Sequence, residues 1–278
     1  PFYDDSGYPL SAAAIAGYAD YSAFLARQLK GIVSAFEVWN EYCGGCGMHG
    51  KTGNQTPETY ARMMQSAYRA LKQVVPQVTV VGLGGEDSGR QLPNIEGILK
   101  GGARFMDALS VHSYRYPNSP EETDLVGEIQ RVAKLARQYD APTRLWVTEI
   151  GWPTQLESLG VGEQTQARYA VRSLALLQST GAVEKTFWYD FKDDGLRRDY
   201  IEHNCGLVWH EDFNCAPKPA AIALAIFARA TAGARPLRLW RQADCYAVFY
   251  RQPDGSDLIV AWTTSAQQRA VVKGKAVG

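Results

Sequence analysis

Short apolar runs alternate with helix-like segments from residue 11 to residue 232, and this alternation constrains the fold more than any single motif. Strands separated by helices in this way are typical of βαβ units and a parallel sheet. We therefore predict five strand–helix units. The predicted strands lie at 36–41, 78–83, 105–114, 144–150 and 185–189, and the predicted helices lie at 11–30, 56–71, 92–100, 121–139, 163–179 and 218–232.

Two of the predicted strands end in a carboxylate that a loop follows directly. The segment at 36–41 reads FEVWNE and stops at Asn40 and Glu41, whereas the segment at 144–150 reads RLWVTEI and carries Glu149 near its end. Short apolar runs bounded by turn residues are typical of buried strands. Two carboxylates at the ends of such strands indicate paired acid chemistry.

The C-terminal part of the chain changes character near Gly233. Short strand patterns at 236–241, 246–250, 258–262 and 269–272 are joined by turns such as QPDG at 252–255. Runs of this kind indicate antiparallel hairpins. We predict that residues 1–233 belong to one α/β domain and that residues 234–278 form a small β module, with truncation at Gly278 as an open alternative.

Composition excludes some classes of function. The 278 residues are 46% hydrophobic, enough for a large buried core, and the 29 basic and 29 acidic side chains balance to a formal net charge of zero. A protein that binds nucleic acid usually carries a basic excess, so we expect no nucleic-acid partner. No apolar run reaches the length that a membrane-spanning helix needs, so we expect no membrane span.

Five cysteines are available for disulfides. The favoured pairs are Cys43 with Cys46 and Cys205 with Cys215, which leaves Cys245 as a buried thiol. Disulfides persist in oxidising compartments, so this pairing predicts a secreted or periplasmic protein whose signal segment is not part of the sequence.

A metal-dependent hydrolase is the alternative interpretation of the same loops. Cysteine and histidine side chains are the usual ligands of zinc, but their spacings here fit no single zinc template. The candidate ligands are Cys43, Cys46, His203, Cys205, His210 and Cys215.

Polar residues recur at the C-terminal ends of the predicted strands. Parallel strands covered on both faces are usually apolar throughout, so polar residues repeated at one rim are informative. In an α/β barrel the active site lies at this rim, because the βα loops gather there. The strand-end residues are Asn40, Glu41, Gly84, Gly85, Glu86, Asp87, His112, Tyr114, Glu149, Trp188 and Asp190.

Together these motifs resemble a known group of enzymes. They are similar to the retaining glycoside hydrolases of clan A, with family 39 and its bacterial relatives as the best match. The motifs are WNE at 39–41, the HSY strand end at 112–114, TEIGWP at 148–153 and the later Trp188. The likeness covers residues 1–232. It implies a (β/α)8 TIM barrel of which this chain holds the last five strand–helix units, followed by the small antiparallel β module.

The resemblance also implies roles for the two carboxylates. Glu149 would be the nucleophile and Glu41 the acid/base, and a retaining mechanism places two such groups about 5 Å apart. An ionised Glu149 beside Glu41 would favour the protonated form of Glu41 in the resting enzyme. The resemblance implies no metal or cofactor. It implies a carbohydrate partner, most commonly in this family a β-linked oligo- or polysaccharide.

Five further residues are expected to bind substrate or support the pair. By resemblance, Asn40 would hydrogen-bond the sugar 2-hydroxyl, Tyr114 would donate to Glu149, and His112 would contact the sugar or the acid/base region. Trp188 and Trp152 would provide flat walls for sugar rings.

Three strand–helix units of a complete barrel are missing from this pattern, and we expect them to precede Pro1 or to come from another chain. Five strands alone would leave two unpaired edges.

A barrel that binds carbohydrate without cleaving it remains an alternative, and a transglycosylase would use the same two glutamates. Glu37 should point into the barrel, where we expect an arginine partner.

Overall fold

The computed structural model describes residues 7–44 and 55–265. The helices are α1 (Ala12–Gln28), α2 (Pro57–Val74), α3 (Leu92–Gly102), α4 (Leu125–Gln138), α5 (Glu163–Ser179) and α6 (Pro219–Ala230). The strands are β1 (Ala35–Glu37), β2 (Thr79–Asp87), β3 (Ala108–His112), β4 (Leu145–Ile150), β5 (Val183–Trp188), β6 (Arg235–Gln242), β7 (Cys245–Arg251) and β8 (Asp257–Thr263).

The first five strands form one parallel sheet in the order β1-β2-β3-β4-β5, which curls into a half-barrel with helices on its outer face. The remaining three strands form an antiparallel sheet. The predicted fold class is thereby confirmed: five strand–helix units and a small antiparallel module. Because all five parallel strands run in one direction, their C-terminal ends lie together at one rim.

The main core lies between the sheet and the helices. On α2 the buried face consists of Tyr60, Met63, Met64, Ala67 and Leu71, which recur at helical spacing. Thr56 caps this helix by accepting a hydrogen bond from the Thr59 N–H at 3.2 Å. The amphipathic pattern of α2 is therefore explained by packing.

The opposite face of the sheet carries its own layers of side chains, because side chains alternate along a strand. Ala35, Val81, Ala108 and Trp146 form a small apolar cluster there. One step closer to the C-terminal rim, Glu37 accepts a hydrogen bond from Thr148 Oγ1 at 3.1 Å.

Glu37 therefore has a different partner from the one expected. It hydrogen-bonds to Thr148 and to Ser110, and no arginine pairs with it among the described residues. The arginine prediction was wrong because Ser110 of β3 and Thr148 of β4 already offer hydroxyl groups at this level of the curled sheet.

The antiparallel sheet packs on α5 and α6. Its core joins Val248 and Tyr250 of β7 to Ala175 and Phe227 of the two helices. The predicted strand at 269–272 lies outside the described residues, and the predicted division near residue 233 stays a prediction.

The cysteines do not pair as expected. Cys205 is buried and its thiol donates to the Ile201 carbonyl, whereas Cys215 is exposed and is not bonded to it. The predicted Cys205–Cys215 disulfide was therefore wrong. Cys46, the predicted partner of Cys43, lies outside the described residues, and Cys245 is half-buried rather than buried.

Location in an oxidising compartment rested on those disulfides and stays a prediction. None of the helices in the described ranges is long and apolar enough to cross a bilayer.

Candidate active site

Glu41 stands on a turn and not on the strand that the sequence predicted. β1 ends at Glu37, and the chain then takes left-handed backbone angles at Trp39 (φ 67°) and Glu41 (φ 45°). The Glu41 N–H donates to the Gly84 carbonyl at 2.6 Å, and the Gly44 N–H donates to the Glu41 carbonyl at 3.1 Å. Such angles are strained for residues other than glycine, so the surrounding contacts must hold the turn in place.

An aromatic cluster supplies part of that support. The Trp39 ring lies 5.6 Å from the rings of both Tyr8 and Tyr18 and 5.9 Å from that of Tyr42, between ring centroids. The Tyr18 hydroxyl also accepts a hydrogen bond from the Trp39 N–H at 3.0 Å, and Tyr60 donates to the Val38 carbonyl at 2.8 Å. Edge and tilted ring contacts with bonded hydroxyls make this a rigid base for Glu41.

Glu149 lies near the C-terminal end of β4, opposite this turn. The Tyr114 hydroxyl donates to Glu149 Oε2 at 2.6 Å. Burial, together with the nearby Glu149 charge, raises the pKa of Tyr114 far above its ordinary value, so the hydroxyl keeps its proton. Tyr114 therefore lies where the sequence placed it, as a donor to Glu149.

His112 connects the two glutamates. Its Nδ1 lies 2.7 Å from Glu41 Oε1 and 3.5 Å from Glu149 Oε2, and its side chain is 2% exposed. The ring packs on Gly85, where a Cβ would come within 2.2 Å of His112 Nε2 and where φ is +69°. Only glycine fits at that position, since any side chain would push the imidazole away from the glutamates.

Burial and charge set the protonation of this group. Burial lowers the pKa of His112, but the hydrogen bond with Glu41 and the charges of Glu149, Glu41 and Glu37 outweigh it and leave the pKa raised. Burial raises the pKa of Glu149, against the lowering effects of His112 and the Tyr114 hydroxyl. A protonated His112 thus offsets part of the repulsion between the glutamates.

The geometry suits paired carboxylate chemistry. One oxygen of Glu41, one oxygen of Glu149 and a ring nitrogen of His112 all lie within 4.8 Å of one another. Retaining glycosidases hold their two carboxyl groups about 5 Å apart, whereas inverting enzymes hold them about 6.5–9.5 Å apart to admit a water molecule. The spacing here falls in the shorter class.

Both glutamates face an open cleft of about 470 Å³ at the C-terminal rim. Their side chains are 23% and 26% exposed, so each can reach a bound molecule. The described residues that line the cleft are Asn40, Glu41, Gly44, Asp87, Arg90, Gln91, Tyr114, Tyr116, Glu149, Tyr189, Ile201, Glu202 and Cys205.

The lining also includes residues that the sequence did not single out, among them Tyr116, Tyr189 and Glu202. Tyr116 and Tyr189 stand around Tyr114, with ring centroids 5.6 Å and 6.3 Å from it, and Tyr189 donates to Glu202 Oε2 at 2.8 Å. Tyr116 continues the spacing of two that joins His112 to Tyr114, which is a signal that could have found it. Glu202 lies on a short 3-10 turn in a long loop, and no sequence pattern marks it.

The two predicted tryptophan walls are not at the cleft. Trp152 is fully buried, donates from Nε1 to the Asn118 carbonyl at 2.8 Å, and stacks at 6.0 Å on Trp188. Trp188 is half-buried and packs against the main core. The prediction for Trp152 was wrong because the loop after β4 turns its side chain into the core, and the aromatic lining of the cleft comes from tyrosines instead.

The proposed cysteine and histidine metal centre is not assembled within the part of the chain that the structure describes. In that part, the three side chains of types that can bind a metal ion and lie close together are Glu41, His112 and Glu149. His203 and His210 instead accept backbone hydrogen bonds from Arg197 and Asp212.

Raised carboxyl pKa values predict that the folded protein loses stability as the pH rises. Burial raises the pKa of Glu86 from 4.5 to about 7, against hydrogen bonds from Cys43. A group of this kind stabilises the fold below its unfolded pKa, and the contribution is lost as the pH rises through the folded value. For Glu86 the loss between pH 4.5 and 7 is about 3 kcal/mol at most.

Urea unfolding at pH 5 and pH 8 measures this effect. We expect a lower free energy of unfolding at pH 8, and we expect Glu86→Gln to narrow the difference between the two pH values. An equal difference in both proteins would contradict the assignment to Glu86.

A curled parallel sheet with two facing carboxylates in a cleft at its C-terminal rim is the arrangement found in barrel-type glycosidases. The sequence agrees: the family model described as glycosyl hydrolase catalytic core matches residues 52–204. The chain belongs to this family.

Solved structures of glycoside hydrolases share this fold. A family 39 glycoside hydrolase from the gut symbiont Bacteroides cellulosilyticus WH2 is 26% identical, with a TM-score of 0.74 over 93% of this chain and 53% of that one. A family 51 arabinofuranosidase from Xanthomonas axonopodis pv. citri is 17% identical, with a TM-score of 0.67 over 93% and 59% of the two chains. A family 39 β-xylosidase from Caulobacter crescentus is 19% identical, with a TM-score of 0.55 over 85% and 53%.

These similarities confirm the predicted resemblance to clan A and to family 39. The chain spans just over half the length of these proteins. A search of curated protein sequences found no significant match.

Proposed function

We propose that this chain carries the catalytic pair of a retaining glycosidase that cleaves a β-linked saccharide by double displacement. The observation that carries the proposal is the placement of Glu41 and Glu149 within 4.8 Å of each other and of His112, facing one cleft. That spacing leaves no room for the water molecule of an inverting mechanism between the carboxyl groups.

In the first step, Glu149 attacks the anomeric carbon while Glu41 gives its proton to the leaving oxygen. The Tyr114 hydrogen bond favours the ionised form of Glu149, which supports this carboxylate as the nucleophile. The product is a covalent glycosyl-enzyme, in which Glu149 no longer carries a charge.

In the second step, Glu41 removes a proton from water, which attacks the same carbon and releases Glu149. Loss of the Glu149 charge in the intermediate favours the ionised form of Glu41 that this step requires. A proton on His112 Nδ1 can donate to Glu41 or Glu149, so the imidazole holds the two side chains in place through both steps.

Binding of the sugar falls to the residues around the pair. Asn40 is exposed at the cleft, where it can hydrogen-bond the sugar 2-hydroxyl. Tyr116 and Tyr189 supply apolar ring surface, which is what a sugar ring packs against.

The charge of the cleft favours a neutral saccharide. Its described lining carries the carboxyl groups of Glu41, Asp87, Glu149 and Glu202 and the single guanidinium group of Arg90. Arg90 also lies 3.8 Å from Asp87, which offsets its charge further. A sugar acid would meet net repulsion here.

Intact mass spectrometry of the full-length protein tests the proposal, after incubation with activated 2-fluoro glycosides of neutral sugars and of uronic acids. We expect one added glycosyl group, from a neutral sugar, on the peptide that contains Glu149. A folded protein that binds sugars but forms no adduct would favour the carbohydrate-binding alternative. Labelling by uronic acids alone would overturn the charge argument.

A further inference from the structure

Glu86 is a buried carboxyl group to which the steps above assign no role. It lies near the C-terminal end of β2 and is fully buried. Its Oε1 accepts a hydrogen bond from the Cys43 N–H at 2.7 Å, and the Cys43 thiol also hydrogen-bonds to it. Its Oε2 has no hydrogen-bond partner among the described residues.

A carboxyl group in this position destabilises the fold, because burial disfavours its charge and an oxygen without a partner loses its hydrogen bonds to water. The negative charge of the nearby Glu41 adds to this cost. Cys43 and Glu41 face Glu86 from the turn after β1. His112 of β3 and Tyr60 of α2 interact with it electrostatically. Of these groups His112 is the one whose positive charge favours an ionised Glu86.

The hydrogen bond between the Cys43 N–H and Glu86 lies where it can fix the position of Glu41. Cys43 follows Glu41 by two residues in the same tight turn, which the Gly44 N–H closes on the Glu41 carbonyl at 3.1 Å. On the other side, the Glu41 N–H is anchored to Gly84, which precedes Glu86 by two residues. Thus β2 holds the turn at both of its ends.

We propose that Glu86 is a positioning residue for Glu41, which holds the turn through the Cys43 N–H so that the Glu41 carboxyl group reaches the leaving oxygen. This inference rests on the proposed function. The strained backbone at Glu41 supports it, because a turn with φ 45° at that residue would relax without its anchors.

Substrates with different leaving groups test this role. Aryl glycosides with a poor leaving group need the proton from Glu41, whereas 2,4-dinitrophenyl glycosides leave without it. For Glu86→Ala we expect kcat/KM to fall by about tenfold to a hundredfold with the poor leaving group and to change by less than about threefold with the dinitrophenyl glycoside.

Two conservative variants separate positioning from folding. Glu86→Gln keeps an oxygen that can accept from the Cys43 N–H, so we expect it to retain most of the activity. Glu86→Asp withdraws the carboxyl group by one methylene, so we expect the same leaving-group dependence as in Glu86→Ala, even if the alanine variant does not fold. Glu96→Gln, on the surface of α3 and outside the cleft, is the matched control.

The experiments distinguish a failure of the role proposed for Glu86 from a failure of the proposed function. Equal losses with both substrates, or no loss in Glu86→Ala and Glu86→Asp, would overturn the role of Glu86 while the wild-type protein still forms its glycosyl adduct. A wild-type protein that forms no adduct and cleaves no glycoside would overturn the proposed function, and the role of Glu86 would fall with it.

Discussion

Replacement of Glu149 by alanine is expected to lower kcat/KM by a factor on the order of 10⁴ or more, the largest effect of any single substitution in this protein. A factor of 10⁴ corresponds to about 5.5 kcal/mol of lost transition-state stabilisation. The reason is that Glu149 would form the covalent bond to the sugar, so no other group can take its place. Initial rates with an aryl glycoside of the sugar that labels the protein measure the loss.

Azide separates this role from a structural one. Once the Glu149 side chain is removed, azide can enter from the same face and attack the anomeric carbon directly. We expect partial recovery of activity in Glu149→Ala and a glycosyl azide of inverted configuration, which NMR identifies. Glu96→Gln should remain fully active. Activity near the wild-type level in Glu149→Ala would rule out Glu149 as the nucleophile.

Replacement of Glu41 by alanine is expected to have the second largest effect, with a pattern that depends on the substrate. General acid catalysis contributes about 10²–10⁴-fold, so a substrate with a poor leaving group should lose activity by that factor. With a 2,4-dinitrophenyl glycoside the first step should be nearly unaffected. The second step should slow, because water then lacks its general base, and the glycosyl-enzyme should accumulate.

Azide again provides the control, with the opposite stereochemistry. In Glu41→Ala the covalent intermediate still forms on Glu149, so azide attacks that intermediate and the glycosyl azide should have the retained configuration. Stopped-flow measurements should show a burst of dinitrophenolate that azide converts to steady turnover. A uniform loss with all leaving groups and no azide effect would exclude Glu41 as the acid/base.

The fold was largely predictable from the sequence. Each strand–helix unit has a local signature, an apolar run followed by helical spacing, and a parallel sheet is the arrangement that pairs such runs. Strand ends then predicted a shared rim, which is why Glu41, His112, Tyr114 and Glu149 were found together. The boundaries were less accurate: the strand predicted at 36–41 ends at Glu37.

The remaining features of the site depend on backbone irregularities that leave no local signal. The left-handed turn at Glu41 requires the hydrogen bond from its N–H to the Gly84 carbonyl and support from an aromatic cluster that comes from distant parts of the chain. The register of β4 against β5 shifts between Val147 and Ile150, so the regular alternation of side chains is interrupted around Glu149. Alternation along an ideal strand does not predict either result.

The sequence by itself thus determined the fold class and the pair of glutamates, because hydrophobic periodicity and the strand-end carboxylates are local properties of the chain. Tertiary structure decided that His112 lies between those glutamates, that Trp152 is buried while Tyr116 and Tyr189 line the cleft, and that Glu86 accepts a hydrogen bond from the turn carrying Glu41. These arrangements depend on how far each side chain reaches and on what covers it, and both are settled only when separate strands and loops meet.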